Sequence, residues 1–148
     1  MANIKTILSN NGINIIFNTD KKLLHLKVLQ SSYNENGFNE CLVYIENTFK
    51  YIKENQLKCS FLCDLRSENN IELPLNAYVK LVNLITQINS ILVTNCHCII
   101  ILSNNSKKWK DIYNFITKLW RPDNQRPLEF MENEDFIDSY ILKNKLHN

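Results

Sequence analysis

The stretch FLCDLRSENNIELP, residues Phe61–Pro74, decides how the chain is read. It begins as an apolar run, ends that run on a carboxylate at Asp64, passes through a polar turn and closes on a proline. Proline has its φ already set and no N–H to leave unpaired, so it suits the first turn of a helix. The segment therefore reads as strand, turn and helix start, with the strand over 58–64. After it, Tyr78, Leu81, Val82, Ile85, Ile88 and Leu92 recur at helical spacing and form a buried stripe. Before it, Phe38, Cys41, Leu42, Ile45, Phe49 and Ile52 do the same, with charged residues between them, in an amphipathic helix ending near Asn55.

The pattern continues in both directions. Cys96–Leu102, CHCIIIL, is a continuous apolar run of the kind found in strands covered on both faces. Ser103, Asn104, Asn105 and Ser106 then form a cap-rich turn. The next helix carries Trp109, Ile112, Tyr113, Ile116, Leu119 and Trp120 and stops before Arg121 and Pro122. A last strand over Arg126–Met131 precedes a terminal helix striped by Phe136, Ile137, Tyr140 and Ile141. Towards the N-terminus, three short strands are expected over Ile4–Leu8, Ile13–Phe17 and Leu23–Val28. Asn10-Asn11-Gly12 and Asn18-Thr19-Asp20 lie between them, and Asn and Gly accept the positive φ of hairpin turns. The order is βββαβαβαβα: an α/β fold with a mixed sheet, antiparallel hairpin strands first and helices covering the sheet.

With 148 residues, 45% of them hydrophobic, the chain is long enough for one domain with a sizeable core over residues 1–148. Seventeen basic and 15 acidic residues are scattered without a basic block, so no nucleic-acid surface is indicated. No run is long and apolar enough to span a membrane, and the N-terminus has no signal-peptide pattern. The five cysteines read as reduced thiols, which places the chain in the cytoplasm. Abundant asparagine, isoleucine and lysine is the bias AT-rich codons give, so most asparagines carry no chemistry.

Right-handed crossovers bring the loops after the parallel strands to one rim, where α/β sheets usually bind ligands. Asp64, Arg66, Ser67 and Glu72 are expected there, with Ser103, Asn104, Ser106 and Lys107 from the next loop. Asp64 as a phospho-acceptor would require an acidic pair on the first strands to hold magnesium, and none is present. It reads instead as a structural acid capping its own turn. Arg66 reads as exposed, pairing with Glu68 or Glu72. Cys59 and Cys63 share one face of their strand, and Cys96 and Cys98 one face of theirs. Flat strands supply tetrahedral zinc geometry badly, so these thiols read as small buried hydrophobes and no metal is assigned. His25 and His97 have no partner acid or nucleophile at recognisable spacing, so no catalytic residue and no cofactor are assigned.

The element order together with Asp64-Leu65 and, eight positions after the first acid, Ile71-Glu72 resembles the STAS family, named for sulfate transporters and anti-sigma-factor antagonists. The closing WRPDNQRPLEFMENEDFIDSYI is similar to that family's last turn, strand and helix. In the bacterial switch members a phosphorylated serine follows the second acid; here Leu73-Pro74-Leu75 stands there, so a serine switch cannot operate. The resemblance implies a non-catalytic, regulatory protein–protein interaction module acting through the rim on a protein partner, a second copy of the chain included. Some divergent STAS-like proteins are grouped with lipid-binding domains, which makes a carrier of a small apolar or lipid ligand the alternative. A structural or accessory protein of an AT-rich bacterium or large virus is a third reading, resting on composition.

Overall fold

A computed structural model describes residues 4–9, 12–29, 32–67, 72–119 and 126–145. Six strands form one sheet: β1 (Ile4–Ser9), β2 (Ile13–Asn18), β3 (Leu23–Val28), β4 (Cys59–Asp64), β5 (Cys96–Leu102) and β6 (Leu128–Met131), lying side by side in sequence order. Four helices accompany them: α1 (Glu35–Glu54), α2 (Leu75–Asn95), α3 (Ser106–Leu119) and α4 (Ile137–Lys143). β1, β2 and β3 pair antiparallel, and β3 to β6 run parallel. The fold is α/β with a mixed sheet, in the order expected from the sequence.

Sequential strand order has a consequence for layering. Each crossover from β3 to β6 steps in the same direction, and right-handed crossovers then all pass over the same face. Side chains of α1, α2 and α3 accordingly meet one face of the sheet. There Ile13, Ile15, Leu24 and Leu26 pack with Phe49 and Ile52 of α1 and Leu84, Ile88 and Ile91 of α2. Phe49 stacks on Phe61 at 5.0 Å between ring centroids, pinning α1 to β4. The opposite face carries a smaller core of Leu62, Cys98, Ile100 and Leu102 under Ile137 and Ile141 of α4. Because the strand order never reverses, the described sheet lacks the switch point at which open α/β folds form their rim crevice.

Local chemistry accounts for the helix ends. The Asn34 side chain accepts a bond from the Gly37 N–H at 2.9 Å and starts α1. Asn105 does the same for α3, accepting from the Lys108 N–H at 3.1 Å. Pro74 is the residue from which α2 departs.

Some sequence expectations are corrected. Asn10 and Asn11 lie outside the described residues, as do Glu68, Ile71, Trp120 and Arg121. In the second hairpin the left-handed position is Lys22, at φ 50°, and not Asn18; Asn18 instead accepts the Lys21 N–H at 3.0 Å. Phe136 is not part of a buried stripe: it ends a single 3₁₀ turn, Glu134–Phe136, and is 61% exposed. β5 is not sealed on both faces, since Ile99 and Ile101 are only half-buried while Cys98, Ile100 and Leu102 are buried. Cys96 and Cys98 do not share a face. Cys59 pairs with Cys96 but Phe61 pairs with Ile99, so β5 carries one extra residue between them, and this bulge resets the alternation. Cys96 lies with Cys59 under the helices, while Cys98 points to the α4 side and its thiol donates to Ser60 Oγ at 3.7 Å.

Candidate functional site

Asp64 closes β4 with its side chain on the α4 side of the sheet, and it is fully buried. Arg66, two residues on, folds back over it. Oδ1 accepts the Arg66 backbone N–H at 3.1 Å and its Nε at 3.0 Å, while Oδ2 accepts a terminal guanidinium N–H at 2.8 Å. This is a forked, charge-assisted pair locked by a local turn. On the other side His25 Nε2 lies 3.3 Å from Oδ2. An ionised carboxylate only accepts, so Nε2 carries the proton and donates. Burial pushes the Asp64 pKa up, but the hydrogen bonds from His25 and Arg66 and the guanidinium charge outweigh it and hold the carboxyl well below the usual carboxylate range.

The network crosses the rim. Arg66 also donates to Glu134 at 3.0 Å, Asn104 Nδ2 donates to the Arg66 carbonyl at 3.0 Å, and Ser106 Oγ donates to Glu132 at 2.5 Å. The loops after β4, β5 and β6 are thus tied together by the side chains expected to receive a partner.

The candidate rim residues divide accordingly. Asp64 and Ser103 are fully buried; the Ser103 N–H bonds the Met131 carbonyl at 3.0 Å, and its hydroxyl has no partner among the described residues. Arg66 is not a free surface cation and does not pair with Glu72; its partners are Asp64 and Glu134. Asn104 and Ser106 are engaged within the rim, and Lys107 pairs with Asp111 one turn along α3 at 2.9 Å. Ser67 is half-buried, and Glu72 is exposed. His25 does have an acid partner, contrary to its strand-only reading. The geometry across parallel strands β3 and β4 supplies that partner, and no sequence spacing announces it.

A second feature lies on the other face of the sheet. Between α1, α2, α3 and the sheet is a cavity of about 290 Å³. Its floor is Leu26, Phe61, Cys63, Ile99, Ile101 and Phe130; its walls include Phe38, Leu42 and Ile45 of α1, Leu81, Ile85 and Leu92 of α2, and Trp109, Ile112 and Ile116 of α3. This hollow is why Ile99 and Ile101 remain half-buried on a central strand. It runs the length of the parallel strands. Tyr33, Leu65 and Leu73 stand at the rim end, and Leu92, Arg126 and Leu128 at the other. The Arg126 guanidinium is spent on the backbone carbonyls of Cys96, His97 and Asn144. Burial, the Asp64 charge and Cys41 push the Cys63 thiol up to about 12, so the floor carries a neutral thiol. Burial raises Tyr113 as well.

Such walls give water almost nothing to bond. An apolar guest fits such walls, because it gains dispersion contacts there and gives up no hydrogen bonds to water. Neither His25 nor Asp64 lines this cavity. Among the described residues, no group of three metal-ligating side chains converges, and no helix is long and apolar enough to cross a membrane.

Compared with known proteins, the chain matches no family model, no curated protein and no solved structure.

Proposed function

We propose that the chain is a non-catalytic binding protein for a small apolar ligand, held between the helices and the sheet. The observation that carries this reading is the cavity: about 290 Å³ with apolar walls, above a central strand whose inward isoleucines are left half-buried. An engineered cavity of about 150 Å³ holds benzene, so this space suits a guest of about two such rings or a medium-length hydrocarbon chain. Water-excluding apolar walls with few polar groups are the usual make-up of small-molecule sites. The ligand would enter by displacing poorly bonded water or void, and affinity would come from dispersion contacts with the isoleucine and aromatic walls.

Native mass spectrometry of freshly purified protein tests the reading. The expected result is a population carrying one bound apolar molecule, lost in Cys63→Phe, where the new ring occupies the floor. A bare chain in the wild type, with no uptake of added hydrocarbon, overturns it.

A second reading, a STAS-like protein–protein module working through the rim, draws support from the element order and from Ser67, Glu72 and Lys107, which keep accessible surface there. It is the weaker of the two because Asp64, Arg66, Asn104 and Ser106 are already engaged with one another or with the loop after β6. Arg66→Glu with Lys107→Glu separates the two readings: the rim reading expects loss of a partner, the cavity reading expects unchanged ligand retention in whatever fraction stays folded.

A further inference from the structure

We infer that the outer surface of α2 and α3 docks on an anionic lipid bilayer, which makes the bilayer the source of the cavity's guest. Three large apolar side chains stand in water on this side: Leu75 at 73% exposed, Val79 at 51% and Phe115 at 44%. They form one patch. Leu75 and Val79 are a turn apart on α2, and Tyr78 between them meets Phe115 edge-on at 5.6 Å. The patch borders the cavity, since Tyr78 lies one turn from Leu81 and Phe115 is next to Ile116, and both of these are wall residues.

Charge selects the occupant. α2 and α3 carry Lys80, Lys107, Lys108, Lys110 and Lys118 against a single acid, Asp111; Lys80 is turned to Glu35 and Asn39 of α1 and Lys107 pairs with Asp111, which leaves Lys108, Lys110 and Lys118 as the charge beside the patch. α1, by contrast, carries Glu35, Glu40, Glu46 and Glu54 against Lys50 and Lys53. The two helices that bear this patch therefore carry a net positive charge, whereas α1 carries a net negative one. Apolar side chains flanked by lysines match an interface of acyl chains under anionic headgroups. A bilayer of that kind supplies both halves of the complement, and an apolar guest leaving it would pass from acyl chains to cavity wall without crossing bulk water. The inference thus rests on the cavity reading for the identity of the cargo, although the surface stands on its own observations.

Co-sedimentation with phosphatidylcholine vesicles, with and without phosphatidylserine, tests it alongside native mass spectrometry of the same preparations. Binding is expected only with phosphatidylserine and should weaken as salt is raised. Each lysine near an anionic surface contributes about fivefold to partitioning, so Lys110→Gln with Lys118→Gln should weaken binding about 25-fold. Leu75→Asn with Val79→Asn, at exposed positions that leave the fold intact, should lower it further. Binding that is absent, equal on both vesicles, or unchanged in both variants overturns the proposal. Retained ligand without vesicle binding overturns the docking surface and leaves the cavity reading standing. Phosphatidylserine-dependent binding by a protein that retains no ligand supports the surface and removes its cargo. Self-association abolished by the Leu75 and Val79 changes, without vesicle binding, assigns the patch to a protein partner and overturns the bilayer.

Discussion

Replacing Asp64 by asparagine keeps the side chain's volume and removes its charge, at a position with no access to water. The carboxylate accepts four hydrogen bonds, three from Arg66 and one from His25. An asparagine oxygen in the Oδ1 place still accepts the two Arg66 bonds made there. Its amide nitrogen then faces the Arg66 guanidinium, which only donates, so that bond is lost, and the charge-assisted bond from His25 Nε2 is replaced at best by a neutral one to the other imidazole tautomer. Hydrogen bonds to charged groups contribute about 1.5–3 kcal/mol each. Arg66 retains Glu134 and partial contact with water, which discounts the sum to about 3 kcal/mol of destabilisation for Asp64→Asn near neutral pH. The pH dependence follows from the same geometry. The folded carboxyl lies below its unfolded value near 3.9, so its stabilisation is complete above about pH 5 and is lost as pH falls towards the folded value. The gap between wild type and variant should therefore narrow by up to about 1.4 kcal/mol per pH unit below pH 4. Urea unfolding followed by circular dichroism between pH 3 and pH 7 measures both quantities. A loss under about 1 kcal/mol at neutral pH, or a gap that does not change with pH, would refute the reasoning.

Other consequences of the rim and the cavity are measurable in the same way. Glu134→Gln should cost less than about 1 kcal/mol, because that carboxylate is mostly in water, and a urea midpoint far below wild type would show a stronger coupling to Arg66. Ser103→Ala should leave stability unchanged or raise it by up to about 1 kcal/mol, since the buried hydroxyl it removes has no partner among the described residues; a clear loss would mean that the hydroxyl is bonded in solution. With its pKa pushed up to about 12 by burial, Cys63 should be thiolate in only about one molecule in ten thousand at pH 8. Iodoacetamide should therefore modify it slowly in the native protein and readily in urea, as read by peptide mass mapping.

The order of elements is legible in the sequence because hydrophobic period is a local property. Leu24 and Leu26 alternate with His25 and Lys27, and this fixes β3 residue by residue; the spacing of Phe49 and Ile52 fixes α1. Asp64 is likewise legible as the last residue of its strand and the cap of its own turn. Its depth is not. Burial of Asp64 depends on Arg66 folding back and on His25 arriving from β3, whose chain position is 39 residues away. The same holds for Glu134, which reaches Arg66 across 68 residues. The bulge that separates Cys96 from Cys98 is silent in CHCIIIL, because an unbroken apolar run has no alternation to interrupt. The cavity is the extreme case. Its wall residues are ordinary apolar positions of helices and strands, and the space between them is set by how far α2 and α3 stand from Ile99 and Ile101. Only the continuous apolarity of β5, on a face that stays half-buried, hinted that something else should cover it.

The proposed binding function stands or falls on whether that space takes up an apolar guest. The direct measurement is a titration of protein refolded from denaturant with naphthalene, followed through the isoleucine and leucine methyl resonances by heteronuclear NMR. Saturable, one-to-one shifts are expected at Ile99, Ile101, Leu81, Ile85 and Ile112, with Ile137 and Ile141 on the opposite face unmoved. Shifts that do not saturate, or that spread over α4 as much as over the cavity walls, would contradict it.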